Sequence, residues 1–156
     1  MALRNLRVNG DPILRKKSRP VEVFDEKLWQ LLEDMRDTLV KSGGVGLAAV
    51  QVGVLKRVVL VDCGDGLLEL INPEIVSSEG TQRETEGCLS IPARAGVTER
   101  PARVRVRAQN RHGDWCLYEG TELKARCFCH ELDHLDGVLF TDRLAPGEHI
   151  YRTEQN

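Results

Sequence analysis

Within His130-Glu131-Leu132-Asp133-His134, two imidazoles stand four residues apart with a carboxylate beside the first. Four residues on a helix turn about 400°, so both rings face one way, one turn apart, where they can grip a single metal ion. Glu131 is adjacent to one such ligand without being one, which suits a general base acting on a water at that site. A catalytic metal usually has three protein ligands, so a third must come from elsewhere. Downstream, Glu148 and His149 lie among Pro146 and Gly147. A better candidate lies upstream, in Glu86-Gly87-Cys88-Leu89-Ser90, where Gly87 lets the backbone come close to another group. Cys88 would complete a Cys-His-His set. On these residues alone the bland reading stays open: histidines satisfied in a core, and a cysteine packed as a small hydrophobe.

A third segment, Gly44-Val45-Gly46-Leu47-Ala48-Ala49-Val50-Gln51, puts small residues ahead of one amide. That composition predicts a tight loop with close backbone approach and one directed side chain. It lacks the Gly-Lys-Ser/Thr ending of a phosphate loop and sits in no strand-glycine-helix unit. Taken by itself, it reads as the close of a helix rather than as chemistry.

These segments need elements to hold them. Asp25 caps a predicted helix running to about Ser42, with Leu28, Leu31, Leu32, Met35 and Leu39 at helical spacing and Gly43-Gly44 as its stop. Strands are expected over Arg57–Asp62 and Leu67–Ile71, with Asn72-Pro73 turning the chain. Weaker strands are expected at Ile75–Ser78 and Val97–Thr98. Val104–Ala108 alternates, Arg111–Asp114 reads as a hairpin turn, and Trp115–Tyr118 pairs back. A second helix runs from near Thr121 to Gly137. Leu123, Cys127, His130 and His134 form one of its stripes, and Phe128, Leu132 and Leu135 form an apolar stripe beside it, so this helix is buried. The order predicts an α+β fold: antiparallel or mixed β-sheets packed around a central C-terminal helix carrying the histidines, plus an N-terminal helix, in a single catalytic domain over 1–156.

Composition narrows the function. The 156 residues carry 22 Lys and Arg against 24 Asp and Glu, a net charge of −2, which argues against a dedicated nucleic-acid binder. Arg103, Arg105 and Arg107 alternate with apolar residues and read as the wet face of a strand rather than a basic patch. No apolar run approaches the ~20 residues of a membrane helix, and residues 1–7 show no signal-peptide core, so no membrane association is expected and the cytoplasm is the default location. Five cysteines without framework spacing are expected as thiols there.

Together the three segments resemble the signature motifs of the peptide deformylase family: G-x-G-L-A-A-x-Q at 44–51, E-G-C-L-S at 86–90 and H-E-x-D-H at 130–134. Asp11–Arg15, Ile91-Pro92 and Leu135–Phe140 extend the likeness to roughly residues 10–144. The resemblance implies a metal-dependent hydrolase that removes the formyl group from the formyl-methionine of newly made polypeptides, releasing formate. It implies Cys88, His130 and His134 as metal ligands and Glu131 as general acid and base. Gln51 and the backbone N–H of Leu89 would donate to the formyl oxygen, while Gly46 and Val45 would touch the substrate. It implies one divalent ion, Fe²⁺ in cells with Zn²⁺, Ni²⁺ or Co²⁺ able to substitute, a Glu86–Arg100 ion pair, and N-formyl-Met nascent peptide as the partner, with transient ribosome contact. Three departures stand out: Cys129 where the family often has Gln, Ala93 where it often has Gly, and a short C-terminal segment that leaves no room for the long terminal helix of some members. Cys129 should point about 100° away from His130. The competing readings are a zincin-type metallopeptidase, a non-enzymatic protein whose structural zinc would recruit Cys127 or Cys129, and a binding module that has lost activity. Intact Glu131 and Gln51 argue against the last.

Overall fold

The first helix, α1 (Glu26–Ser42), begins where expected: Asp25 accepts a hydrogen bond from Leu28 N at 3.2 Å. It ends where Gly43 takes φ 73° and its N–H reaches back to Leu39 O and Val40 O. The computed structural model describes residues 2–153. The buried stripe of α1 is the predicted one, with Asp34 and Thr38 added. Those two polar groups are satisfied from the N-terminal segment, where Arg4 N donates to Thr38 Oγ1 at 3.0 Å and Arg4 Nη2 pairs with Asp34 at 2.9 Å.

Two antiparallel sheets follow. The larger takes β1 (Gly46–Ala48), β2 (Val58–Val61), β3 (Leu68–Glu79), β6 (Arg103–Gln109) and β7 (Trp115–Thr121), in the order β1-β2-β3-β6-β7. The smaller takes β4 (Gln82–Cys88), β5 (Ile91–Arg100) and β8 (Tyr151–Arg152), in the order β4-β5-β8. Strand β2 shows how the sheet is sandwiched. Val58 and Leu60 pack with Leu31, Leu32 and Met35 of α1, whereas Val59 and Val61 pack with Phe128, Leu132 and Leu135. Period-two alternation thus sends an unbroken apolar run into two cores. Helix α2 (Glu122–Leu135) owns the second core and touches β1, β2, β6 and β7 of one sheet and β5 of the other, which makes it the expected central helix. On β6, Val104, Val106 and Ala108 face that core. Arg103 and Arg107 lie outside, paired with Glu79, Glu119 and Glu74, and Arg107 stacks 3.7 Å over Trp115. This is a wet sheet face.

Some expectations needed correction. Asn72-Pro73 does not turn the chain. Strand β3 runs through it, with a register shift between Ile71 and Glu74, and Asn72 takes φ 52° there. The Asn72 amide donates to Val21 O and Gln109 Oε1, which holds the bulge. Strands β4 and β5 extend far beyond the expected Val97–Thr98, and residues 12–15 form a 3-10 turn capped by Asp11. Segment 44–51 is not simply a helix stop: it forms β1 and a 3-10 turn, Ala49–Val52.

Candidate active site

Cys88 ends β4, and Leu89-Ser90 is the tip joining it to β5 through the Cys88–Ile91 pair. The tip presents the Cys88 thiol to α2. Cys88 Sγ lies 3.3 Å from His134 Nε2, which lies 3.2 Å from His130 Nε2. The donor atoms of Cys88, His130 and His134 all lie within 4.8 Å of one another. A tetrahedral ion with bonds of about 2.0–2.3 Å needs donor separations of about 3.3–3.7 Å. The set therefore fits a single metal ion with little adjustment. His134 is 1 % exposed and stands behind the other two.

The far side of His130 is also fixed. Its Nδ1 lies 2.5 Å from Glu86 Oε1, a pairing that leaves Nε2 to face the donor cluster. Glu86 is held by Arg100, with Nη2 to Oε1 at 2.7 Å and Nε to Oε2 at 3.2 Å, and by Thr98 Oγ1 at 2.5 Å. Arg100 Nη1 continues to Asp133 Oδ2 at 2.6 Å, and Asp133 also accepts from Arg143 at 3.2 Å. Burial pushes the Glu86 carboxyl up, but the bonds from His130 and Arg100 outweigh it and hold the group at about 2. Glu131 has the opposite environment. Burial pushes its carboxyl up to about 7 against the pull of His130, and its Oε1 is buried with no hydrogen-bond partner. An unpaired carboxylate oxygen beside three converging donors suits a proton acceptor at a metal site.

Gln51 closes the other side. It is 1 % exposed, its Oε1 accepts from Ala48 N at 2.9 Å, and its Nε2 donates to Ser90 Oγ at 3.1 Å and toward Cys88 Sγ at 3.6 Å. Gly46 lies against Glu131, and Val45 is exposed at the rim. Val45, Gly46, Gln51, Cys88, Leu89, His130 and Glu131 all line one cleft of about 430 Å³. Cys129 is buried and outside the donor cluster, and burial pushes its thiol up to about 11. Sequence reasoning missed Ser90 as the anchor of Gln51 and Asp133 as the second partner of Arg100. It also missed the N-terminal strap, in which Arg7 N donates to Gln51 O at 2.7 Å and Asn9 N to Ser90 O at 2.9 Å. Backbone bonds of that kind leave no trace in residue types.

The sequence model described as polypeptide deformylase matches residues 3–149. The chain belongs to the polypeptide deformylase family. A peptide deformylase of Acetivibrio thermocellus is 60 % identical over 144 residues, covering 92 % of this chain and 85 % of the relative. The crystal structure of the Thermotoga maritima peptide deformylase superposes with a TM-score of 0.91 at 44 % identity, covering 94 % of this chain and all of that one. The Synechococcus elongatus peptide deformylase, solved in complex with actinonin, gives 0.89 at 38 % identity, covering 92 % of this chain and 80 % of its own. As a peptide deformylase, the chain is a metal-dependent hydrolase that removes the N-terminal formyl group from nascent peptides. A zincin-type peptidase finds no support. A structural zinc would need four ligands, and the donor cluster among the described residues has three. No helix among the described residues is long and apolar enough to cross a membrane.

Proposed function

We propose that Cys88, His130 and His134 hold one divalent ion, Fe²⁺ in cells with Zn²⁺, Ni²⁺ or Co²⁺ able to replace it, and that Glu131 moves the proton of deformylation. The observation carrying this reading is the convergence of Sγ and two Nε2 atoms beside the unpaired Glu131 Oε1. When bound, the ion makes water more acidic and polarises the formyl carbonyl. Glu131 Oε1 accepts the proton of a water whose oxygen attacks the formyl carbon. Gln51 Nε2 and the Leu89 N–H donate to the formyl oxygen as charge builds on it. Sulfur is a weak acceptor, so the hydrogen that Nε2 aims at Cys88 Sγ is easily redirected. Glu131 then passes the proton to the departing amine, leaving formate and a free N-terminus.

Val45 and Gly46 fit as substrate contacts, because β1 and β4 are both edge strands that flank the cleft. An extended peptide laid between them finds unpaired backbone groups on either side. A thiolate ligand supplies more charge than a third imidazole, which suits Fe²⁺ and makes the centre oxygen-sensitive. Residues 1–156 act as one catalytic domain in the cytoplasm, meeting nascent chains through transient ribosome contact. The test is formate release from formyl-Met-Ala-Ser by protein purified anaerobically with Fe²⁺ or Ni²⁺. Metal-loaded protein that releases no formate, or that cleaves unblocked peptides instead, would overturn the assignment.

A further inference from the structure

Two arginines line the same cleft as Cys88 and Glu131 and play no part in the reaction just described: Arg94 on β5 and Arg126 on α2. Both are half-buried. Arg126 Nη1 donates to Gln82 Oε1 at 2.7 Å, and Arg94 Nη1 to Ala93 O at 3.2 Å, so the partners found for both guanidinium groups are neutral. Among the described residues neither arginine forms an ion pair. Their neighbours differ. Arg100 is neutralised by Glu86 and Asp133, and Arg143 by Asp133. Of the two acids lining the cleft, Glu86 is tied to Arg100 and His130, and Glu131 forms no ion pair with either Arg94 or Arg126. The rest of the wall is largely apolar, with Leu89, Ile91, Leu123 and Cys127. Among the described residues the cleft therefore carries two guanidinium groups without an ion-pair partner on a largely apolar wall.

Their position fits a peptide rather than the formyl group. Arg126 precedes His130 by four residues and so stands about one turn, roughly 6 Å of axial rise, from that ligand on the same helix face. An extended peptide advances about 3.3 Å per residue, so one turn spans the first or second residue after methionine. We propose that Arg94 and Arg126 make this enzyme favour formylated peptides with an acidic side chain at one of the two positions following methionine. The inference rests on the deformylase reading and adds a substrate class to it. A carboxylate there receives charge-assisted hydrogen bonds from donors already in place, at half-buried positions that salt screens less than an open surface. A lysine meets like charge and is disfavoured.

The test uses metal-loaded enzyme and matched peptides: formyl-Met-Asp-Ser against formyl-Met-Asn-Ser, and formyl-Met-Ala-Asp against formyl-Met-Ala-Asn, with lysine versions of each. At one position kcat/KM for Asp should exceed that for Asn by about 5- to 10-fold, chiefly through KM. The deformylated Asp product should likewise inhibit more strongly than its Asn counterpart. High salt should shrink the ratio, and Arg126→Gln combined with Arg94→Gln should bring it close to one. Because the readout is a ratio within one enzyme, a general loss of turnover in the variant does not obscure it. Equal rates for Asp and Asn at both positions, with formate released from every peptide, overturn this inference and leave the deformylase reading standing. No formate from any formylated peptide overturns the deformylase reading and this inference with it.

Discussion

Gly46 lies so close to Glu131 that a methyl group placed on it would sit 2.6 Å from Oε2 and 2.9 Å from Cγ. Real carbons do not approach so closely, so any side chain at 46 must displace the carboxylate. Gly46→Ala should lower kcat by at least about tenfold, since a misplaced catalytic group costs up to about 10²-fold. Metal content should hold, because the three atoms nearest to that methyl all belong to Glu131 and none to a donor residue. Unchanged kcat would mean that Glu131 works from some other position.

Glu131→Gln keeps the shape of the side chain and removes its ability to take a proton. Metal content should stay full and kcat should fall by at least ~10²-fold. Near-normal kcat with full metal would remove Glu131 from the proton path.

Gln51→Leu should lower kcat by roughly 10²–10³-fold, as for losing one oxyanion donor, with metal content unchanged. It should also cost stability. Leucine leaves the Ala48 N–H without the acceptor it has at 2.9 Å, a loss of about 1–3 kcal/mol. The kinetic and thermal effects are separable by measuring kcat well below the melting temperature. A kcat within a few-fold of the parent would take the amide out of the reaction.

Glu86 predicts how the fold responds to acid. Its carboxyl is held at about 2 against an ordinary value of 4.5. A depressed carboxylate pKa stabilises the folded state fully above the unfolded value and loses that contribution as pH falls toward the folded one. The window is therefore about pH 4.5 down to 2, and the contribution is on the order of 3 kcal/mol. Glu86→Gln should be less stable at neutral pH and show a flatter decline across that window. Chemical denaturation at several pH values measures both, and parallel declines would remove Glu86 as the source.

Ala93 takes φ 61°, a backbone conformation that favours glycine. Ala93→Gly should stabilise the protein by up to about 1 kcal/mol, the relief of the methyl clash exceeding the added entropy of the unfolded chain. Calorimetry would register a rise of about 2–4 °C for a chain of this size. A fall in melting temperature would show that the backbone of β5 carries no strain there.

Much of this was legible from residue types because it depends on them. Asp25 and Gly43 bound α1, the alternation of Val104, Val106 and Ala108 picks out a sheet face, and four-residue spacing aligns His130 with His134. Strands β4 and β5 were hidden because Arg83, Glu84, Glu86, Arg94, Glu99 and Arg100 dominate them. Arg83 pairs with Glu99 and Arg100 with Glu86 across the two strands, and Gln82 accepts from Arg126 of α2, which no local pattern announces. Asn72-Pro73 carries the signature of a turn, yet long-range bonds from the Asn72 amide make it a bulge. Arg100 became a hub only when folding brought Glu86 and Asp133 to it from two directions.

The strap at residues 7–9 sets a condition on when this molecule becomes an enzyme. It fastens Gln51 and the tip beyond Cys88, while two of the three proposed metal ligands sit on α2, far along the chain. A chain growing from its N-terminus makes the strap before either segment that it fastens, and both of those before the histidines of α2. The half-made chain therefore has the frame of the site without its reagents, and no incomplete copy can act.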